Sequence, residues 1–454
     1  MASSVAGSSA PRSGVPYRAR EPNRRKTSDL KVLDLRLWFS SIFLMISAFY
    51  AANAYQGPIS QALYYGKWIF TAPVVFFSWR LIRFISKNRI RKSADISLTL
   101  LMPLLFVIST GMFLSADGKG SVLIGSSVLI GLCTAFVLAI AVAHSNGQQF
   151  LFSAVELVGR IVIFASAMMW GLGLNLGRGS ADRFSGWTDN PNTLAAMLVP
   201  GLILLLAKVL SKRKQRLTWD IPFLLVGLYL LLQTGSRAGI LWFCVSSVAF
   251  YAYRTGAIKL LIFSTLLFVV AAENLDVITT GLGDLLQNRA TTGSIGALSG
   301  REEVWGLGFS LFMEQPIFGH GIGSSADLIM QNEHVLIHHQ GLHFHNSFLT
   351  VAVELGLVGL LVVTLAIVYS IFHGLRSVSN VERRSTRSDW AAAAVPWVMV
   401  TGLLAHAFFE TTIFSAGNPN MIFFWTLVFM LSSKNSERRT PRRRHQMQSR
   451  ELRH

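Results

Sequence analysis

Charged residues and cysteine are both scarce in this sequence. Only 14% of the 454 residues are charged, whereas 52% are hydrophobic, and a soluble chain of this length would need more polar surface. The two cysteines, Cys133 and Cys244, each lie inside an apolar run, which argues against a disulfide framework or a thiolate metal site. The composition therefore predicts a membrane protein.

The sequence also lacks the motifs of nucleotide and metal chemistry. It contains no phosphate loop of the pattern GxxxxGKS or GxxxxGKT, and no cytoplasmic acidic pair of the kind that holds a metal with a sugar nucleotide. Six of the eleven histidines fall between His320 and His345, but their spacing matches neither HExxH nor a histidine–cysteine finger. We therefore expect no metal and no cofactor.

What the chain has in abundance is long apolar runs. A run of roughly 18 or more mostly apolar residues is long enough to cross a bilayer as a helix. Such runs lie near 37–55, 67–85, 97–116, 121–143, 149–174, 192–209, 219–235, 237–254, 257–273, 346–372, 390–411 and 414–432. They predict an all-α polytopic membrane protein with about a dozen transmembrane helices. The stretch from Thr234 to Arg237 is either a hairpin between two spans or one broken helix.

Positive charge is clustered between these runs. The formal charge is +18, and alternating spans with both termini in the cytoplasm put the basic groups at 80–92, 208–216, 254–259 and 376–387 inside, as the positive-inside rule requires. The basic residues do not form one basic domain, which argues against a nucleic-acid partner. The predicted organisation is a disordered basic tail at 1–36, spans one to nine in 37–273, a large periplasmic loop at 274–344, spans ten to twelve in 345–433 and a basic tail at 434–454. We predict a bacterial inner-membrane location.

The few arginines on the predicted outer side stand beside other polar residues. One segment runs from Arg183 through Asn190 to Asn192 and enters a span; its alternative interpretation is a turn in which Asn192 caps the helix. A second segment ends Thr234-Gly-Ser-Arg237, where the arginine is alternatively a snorkelling interfacial residue. Both segments are candidates for an outer-face site.

A third segment begins at Arg301 and continues to the glycine-rich stretch 316–323. Arg301 is followed directly by Glu302 and Glu303, so a local ion pair is one interpretation, and the glycines are alternatively simple turns. The arginine nevertheless lies on the outer side, where the positive-inside rule does not account for it.

The fourth segment is the sharpest of the candidates. His343, His345 and Asn346 precede an apolar helix, and Glu354 lies on that helix a little over two turns further in. This arrangement predicts a histidine on the outer side of the membrane, at the start of a span.

Two further pairs of residues four apart lie in predicted spans. Glu156 and Arg160 have the spacing of a buried helix pair and are interpreted as structural. His406 and Glu410, near the outer end of the eleventh span, face the side where the chemistry is expected and are weaker candidates.

These residue types suit transfer from an activated phosphate ester. A polyprenyl diphosphate leaving group is ionised at neutral pH, so it needs charge stabilisation more than a proton, and the guanidinium fork binds phosphate oxygens bidentately. Arg237 and Arg301 are the predicted diphosphate ligands. The attacking hydroxyl must lose a proton, for which histidine is the ordinary base, and His345 is the predicted base.

Taken together, these segments resemble the O-antigen ligase and polymerase superfamily. The resemblance is carried by His345-Asn346-x-x-Leu349, Glu354-x-Gly356-x-x-Gly359, Pro316-x-x-Gly319-x-Gly321, Arg301-x-x-x-Trp305, Asn190-Pro191-Asn192 and Thr234-Gly235-Ser236-Arg237. The motifs lie within residues 180–370, and the layout of spans is similar over the whole chain. No single motif is specific, but four segments in this order on one face are.

The resemblance implies a twelve-span helical glycosyltransferase of GT-C-like architecture. It would use undecaprenyl-diphosphate-linked glycans, invert at the anomeric carbon, and need neither metal nor nucleotide. It assigns Arg237 and Arg301 to the diphosphate and His345 to the acceptor. The residues expected to support them are Arg183, Asn190, Asn192, His343, Asn346 and Glu354.

Three functions remain open on the sequence. The favoured one is polymerisation of repeat units into exopolysaccharide, and the alternative is an O-antigen ligase that transfers glycan to lipid A core. A lipid-linked oligosaccharide flippase or transporter is the alternative from another class, and the lack of an internal repeat weighs against it. A flippase and a chain-length regulator are possible partners by family analogy only.

Overall fold

The computed structural model describes residues 76, 91–115, 118–144, 147–176, 183–188, 190–211, 217–255, 301–336, 341–382, 390–415 and 418–433. Every regular element in these ranges is helical. The helices are α1 Arg91–Leu114, α2 Gly118–His144, α3 Gly147–Gly171, α4 Pro191–Ser211, α5 Leu217–Thr234, α6 Arg237–Thr255, α7 Arg301–Glu314, α8 Ser325–Gln331, α9 Ser347–Glu382, α10 Trp390–Ala407 and α11 Pro419–Ser433, with a 3₁₀ turn at Glu333–Val335. The first and ninth predicted spans, the second except residue 76, and both predicted tails lie outside the described residues.

Within the described residues, four segments are long and apolar enough to cross a membrane: Gly120–Ile140, Leu151–Gly171, Pro191–Ser211 and Ser347–Leu375. Shorter apolar helices cover Leu98–Leu114, Trp219–Thr234, Ala394–Ala407 and Asn420–Ser432. All eight coincide with predicted spans to within a few residues, which confirms a helical membrane protein. One boundary needs correction, because α10 ends at Ala407 rather than at 411, and Glu410 therefore lies in a loop.

Close helix crossings hold the bundle together. Where α3 crosses α4, a Cβ on Gly159 would stand 2.6 Å from the Cα of Gly201, so both glycines are needed for the two backbones to approach. Elsewhere in the bundle, α10 packs on α6 and α11 packs on α2. The large side chains Trp242 and Trp425 are fully buried in these contacts.

The longest helix, α9, is interrupted at Gly356. The φ angle of Gly356 is 65° and its ψ angle is −165°, a left-handed conformation that favours glycine. The backbone groups freed by this break pair with the stretch 316–321: Leu357 N–H donates to Pro316 O at 2.7 Å, and Gly321 N–H donates to Glu354 O at 2.9 Å. Irregular backbone inside a membrane protein must be satisfied in this way.

The described part of the predicted outer loop, 301–336 and 341–344, folds back on α9. Helices α7 and α8 contact α9 and bury an apolar cluster that includes Val304, Leu311, Ile329, Phe344 and Val353. This packing brings the first residue of α7 beside the first residues of α9. The third and fourth sequence segments are therefore neighbours in space.

Candidate active site

One carboxylate joins three of the predicted segments. Glu410, in the loop after α10, accepts a hydrogen bond at Oε1 from Asn192 Nδ2 at 3.0 Å. The same oxygen accepts from Arg301 Nη2, also at 3.0 Å. The second oxygen, Oε2, lies 3.2 Å from His345 Nδ1. Residues from α4, from α7 and from the stretch just before α9 thus meet on a single side chain.

Arg183 connects the remaining segment to this group. Its Nη2 donates to Asn192 Oδ1 at 3.0 Å, and its Nε donates to the carbonyl of Thr234, the last residue of α5, at 2.9 Å. Gly235 makes the turn with φ at 56°, and Arg237 then begins α6. The Thr234–Arg237 stretch is thus a turn between two helices rather than one broken helix.

The three arginines influence one another. Burial lowers the pKa of the Arg183 guanidinium, and the nearby charges of Arg301 and Arg237 lower it further, whereas Glu410 raises it. The charges that act on Arg183 are thus two further guanidinium groups and the carboxylate of Glu410.

His345 is held by an unusual backbone conformation. Its φ angle is 47°, and it is the one non-glycine residue with positive φ in the described part of the chain. Residues kept in such strained conformations cluster at functional sites. The preceding carbonyl, that of Phe344, accepts from Trp305 Nε1 on α7 at 2.8 Å. The exposed ring of His343 stands edge-on to His345, with the ring centroids 6.4 Å apart.

The loop that carries Glu410 is fixed by Ser347. The Ser347 hydroxyl donates to the carbonyl of Glu410 at 2.7 Å and accepts from the N–H groups of Thr412 at 2.8 Å and Ile413 at 3.3 Å. Trp425 on α11 then holds the carbonyl of Ile413 through its Nε1 at 3.0 Å. The carboxylate therefore stands on a rigid support.

Two predicted supporting residues, Asn190 and Asn346, cap helices. Asn190 caps α4, because its Oδ1 accepts from Thr193 N–H at 2.9 Å. The interpretation of Asn192 as that cap is therefore wrong, and Asn192 instead reaches Glu410. Asn346 caps α9 through the N–H groups of Phe348 and Leu349, both at 3.0 Å.

Glu354 is the predicted supporting residue that contacts α8. It is buried on α9, and its Oε1 accepts from the hydroxyl of Ser325, the first residue of α8, at 2.6 Å. Because the carboxyl group holds α8 against α9, its contacts are those of a packing residue.

The predicted Glu156–Arg160 pair is confirmed at the other end of the bundle. Arg160 Nη2 lies 2.9 Å from Glu156 Oε1 and also pairs with Asp220 of α5. Lys208 Nζ on α4 contacts the same glutamate at 2.6 Å. These charges join α3, α4 and α5 in a balanced network, which agrees with the structural interpretation.

Glu410, Ser347 and Trp305 are the site residues that sequence reasoning undervalued or missed. Glu410 follows His345 by 65 positions, so no local spacing connects them. The available signal was an acidic residue at the outer end of a span, since acidic side chains near the membrane are seldom without a partner or a function.

Comparison with known proteins agrees with the predicted resemblance. Residues 222–364 match the family model described as O-antigen ligase. A protein of Rickettsia conorii that is named as a candidate polysaccharide ligase is 28% identical over 237 residues, which cover 49% of this chain and 52% of that protein. The exopolysaccharide production protein ExoQ of Rhizobium meliloti is 27% identical over 154 residues, 33% of this chain and 35% of ExoQ. The matched region thus spans about half and about a third of these relatives.

Proposed function

With an O-antigen ligase domain matched over residues 222–364 as the premise, we propose that this chain transfers a lipid-linked glycan to an acceptor sugar. The observation that carries the proposal is the convergence of Arg183, Arg301 and His345 on the hydrogen-bond network around Glu410. Arg237 adds a third positive charge near Arg183. The reaction takes place at the periplasmic face of a bacterial inner membrane, in a twelve-span protein with both termini in the cytoplasm and its large loop outside.

The arginines suit a diphosphate leaving group. A polyprenyl diphosphate carries at least two negative charges at neutral pH, and Arg183, Arg237 and Arg301 bring three guanidinium groups to the site. Arg237 and Arg301 each stand at the first position of a helix, where backbone N–H groups add to the attraction for anions. Stabilising a developing anion in this way contributes roughly 3 to 4 kcal/mol per donor.

His345 serves the other half of the reaction. The acceptor hydroxyl oxygen attacks the anomeric carbon of the donor, a new carbon–oxygen bond forms, and the bond from that carbon to the diphosphate oxygen breaks with its electron pair. The hydroxyl proton passes to the imidazole. A single displacement of this kind inverts the anomeric configuration and needs no metal and no nucleotide. Base catalysis contributes roughly 100-fold to 10,000-fold.

The favoured product is exopolysaccharide, made by joining undecaprenyl-diphosphate-linked repeat units. The name of the exopolysaccharide production protein that resembles this chain favours it. The description of the matched family favours the second candidate, an O-antigen ligase that transfers glycan to lipid A core. A flippase that supplies the donor and a regulator of chain length are the proposed partners of a polymerase.

The test is complementation of a deletion strain with Arg237→Ala, Arg301→Ala and His345→Ala. Each variant should insert at wild-type levels and yield no polymer on a gel, because each removes a charge or base that the transition state needs. Loss of long exopolysaccharide identifies a polymerase, whereas full-length glycan left on its lipid carrier identifies a ligase.

Lys208→Ala is the matched control for removal of a positive charge. Lys208 belongs to the ion network at the other end of α4, about 24 Å along the helix from Asn192, and polymer yield should persist. Wild-type polymer from all three site variants would overturn the mechanism and favour the transporter.

A further inference from the structure

Glu410 divides its two oxygens between different halves of the site. Oε1 accepts from Arg301 and Asn192, both at 3.0 Å, and so faces the residues of the diphosphate side. Oε2 faces the proposed base, at 3.2 Å from His345 Nδ1. The side chain of Glu410 is only 17% exposed, and therefore this arrangement is shielded from solvent.

The carboxylate is ionised in this setting. Burial alone would raise the pKa of Glu410, but the hydrogen bond from His345 and the charge of Arg301 hold it below its ordinary value. An ionised carboxylate can only accept hydrogen bonds. The nitrogen that faces Oε2 must therefore carry a proton.

We propose that Glu410 is the positioning residue that keeps the His345 proton on Nδ1, so that Nε2 presents its lone pair to the acceptor hydroxyl. Neutral imidazole has one N–H and one lone pair, and the partner of one nitrogen decides the state of the other. The strained backbone of His345, with φ at 47°, fixes the ring for this contact. The inference deepens the proposed function and rests on it.

The same carboxylate should weaken binding of the donor. Glu410 places a negative charge 3.0 Å from Arg301, where it opposes the diphosphate electrostatically. A residue that only supported the arginines would favour the donor. Glu410 instead weakens donor binding while it enables proton removal, so binding and turnover separate the two roles.

The test is Glu410→Gln in the full-length protein. The amide keeps the size of the side chain but turns an N–H₂ group toward either His345 or Arg301, both of which need an acceptor. If it faces His345, it forces the proton onto Nε2. Polymer yield in the complemented deletion strain should fall roughly 100-fold or more. The Kd of inorganic pyrophosphate, measured on purified protein in nanodiscs, should stay equal or fall by roughly 2- to 10-fold.

Glu302→Gln is the matched control. Glu302 is exposed in the first turn of α7, next to Arg301, so its replacement removes the same charge from the neighbourhood while the hydrogen-bond network stays intact. Polymer yield should be unchanged.

Two results would overturn the inference: wild-type polymer from Glu410→Gln, or joint loss of polymer and pyrophosphate binding, which a merely structural role would give. A double variant with His345→Ala provides a second measurement, because it should be no worse than His345→Ala alone. Failure of the proposed function looks different, since Arg237→Ala and Arg301→Ala would then bind pyrophosphate like the wild type.

Discussion

Ser347 shows how much one small side chain supports at this site. Its hydroxyl is buried and bonds three backbone groups of the loop 410–413. It is also the first residue of α9, directly after the cap Asn346. A single serine thus connects the loop of the carboxylate with the helix that follows His345.

Ser347→Ala should therefore destabilise the protein and reduce its activity. The substitution leaves a buried carbonyl and two buried N–H groups without this partner, which costs roughly 1 to 3 kcal/mol. The midpoint of thermal unfolding in detergent should fall, and polymer yield with it. Ser310→Ala is the matched control, because Ser310 is exposed and its hydroxyl donates to the carbonyl of Gly306 in its own helix, α7. Equal midpoints for the two variants would show that the hydroxyl does not hold the loop.

The roles of some individual residues can be predicted from the sequence, and those of others cannot. Arg301 and His345 were identified because their residue types are unusual on the outer side of a membrane protein, and the structure brings both to one carboxylate. The sequence suggested Asn192 as the cap of α4, whereas Asn190, two positions earlier, is the cap. The importance of Glu410 follows from its contacts with Arg301 and His345, which are 109 and 65 residues away in the sequence. No local sequence pattern shows these contacts.

Among the elements, α9 departs furthest from a simple span. Its break at Gly356 accepts the stretch 316–321 as a backbone partner, and this stretch follows directly after α7. The break therefore anchors one end of α7, while Arg301 and Trp305 anchor the other end near the site.

Gly356→Ala should prevent correct folding. A Cβ there would lie 2.3 Å from the carbonyl oxygen of Ile317, and alanine also disfavours a φ of 65°. We expect little monodisperse protein after detergent extraction. Gly306→Ala is the matched control, because a Cβ at that helical position has no neighbour within 4 Å; it should be neutral or stabilising by roughly 1 kcal/mol. Normal yield of Gly356→Ala would contradict the proposed anchoring role.

Hydrophobicity predicts where these helices lie but not how they are interrupted. The apolar runs near 121–143 and 149–174 correspond to α2 and α3 within a few residues, since length and polarity decide insertion. The run near 346–372 contained no sign of the break, because glycine is common in membrane helices. The partner of the break lies in a different segment, 316–321, so it is visible only in three dimensions.

In the described part of the molecule, polar networks lie at the two opposite ends of α4. The site gathers at the Asn192 end of α4, and the network of Glu156, Arg160 and Lys208 gathers at its other end. If the positive-inside rule holds, these ends face the periplasm and the cytoplasm respectively.

Thiol labelling tests this orientation. In a background with Cys133→Ala and Cys244→Ala, Ser310→Cys on α7 should react with a membrane-impermeant maleimide in cells with a permeabilised outer membrane. Ser211→Cys, at the end of α4, should react only after lysis. The reverse pattern would place the arginines in the cytoplasm and exclude a periplasmic reaction.

The meeting of distant segments on Glu410 also limits how this protein can recombine with its relatives. Asn192, Arg301, His345 and Glu410 are spread over more than two hundred positions. A chimera with a single crossover anywhere between residues 192 and 410 takes some of these partners from one parent and the rest from the other. Such hybrids should work only where both parents agree on the bonds of this carboxylate, so the site is inherited as a unit even though the chain contributes it in pieces.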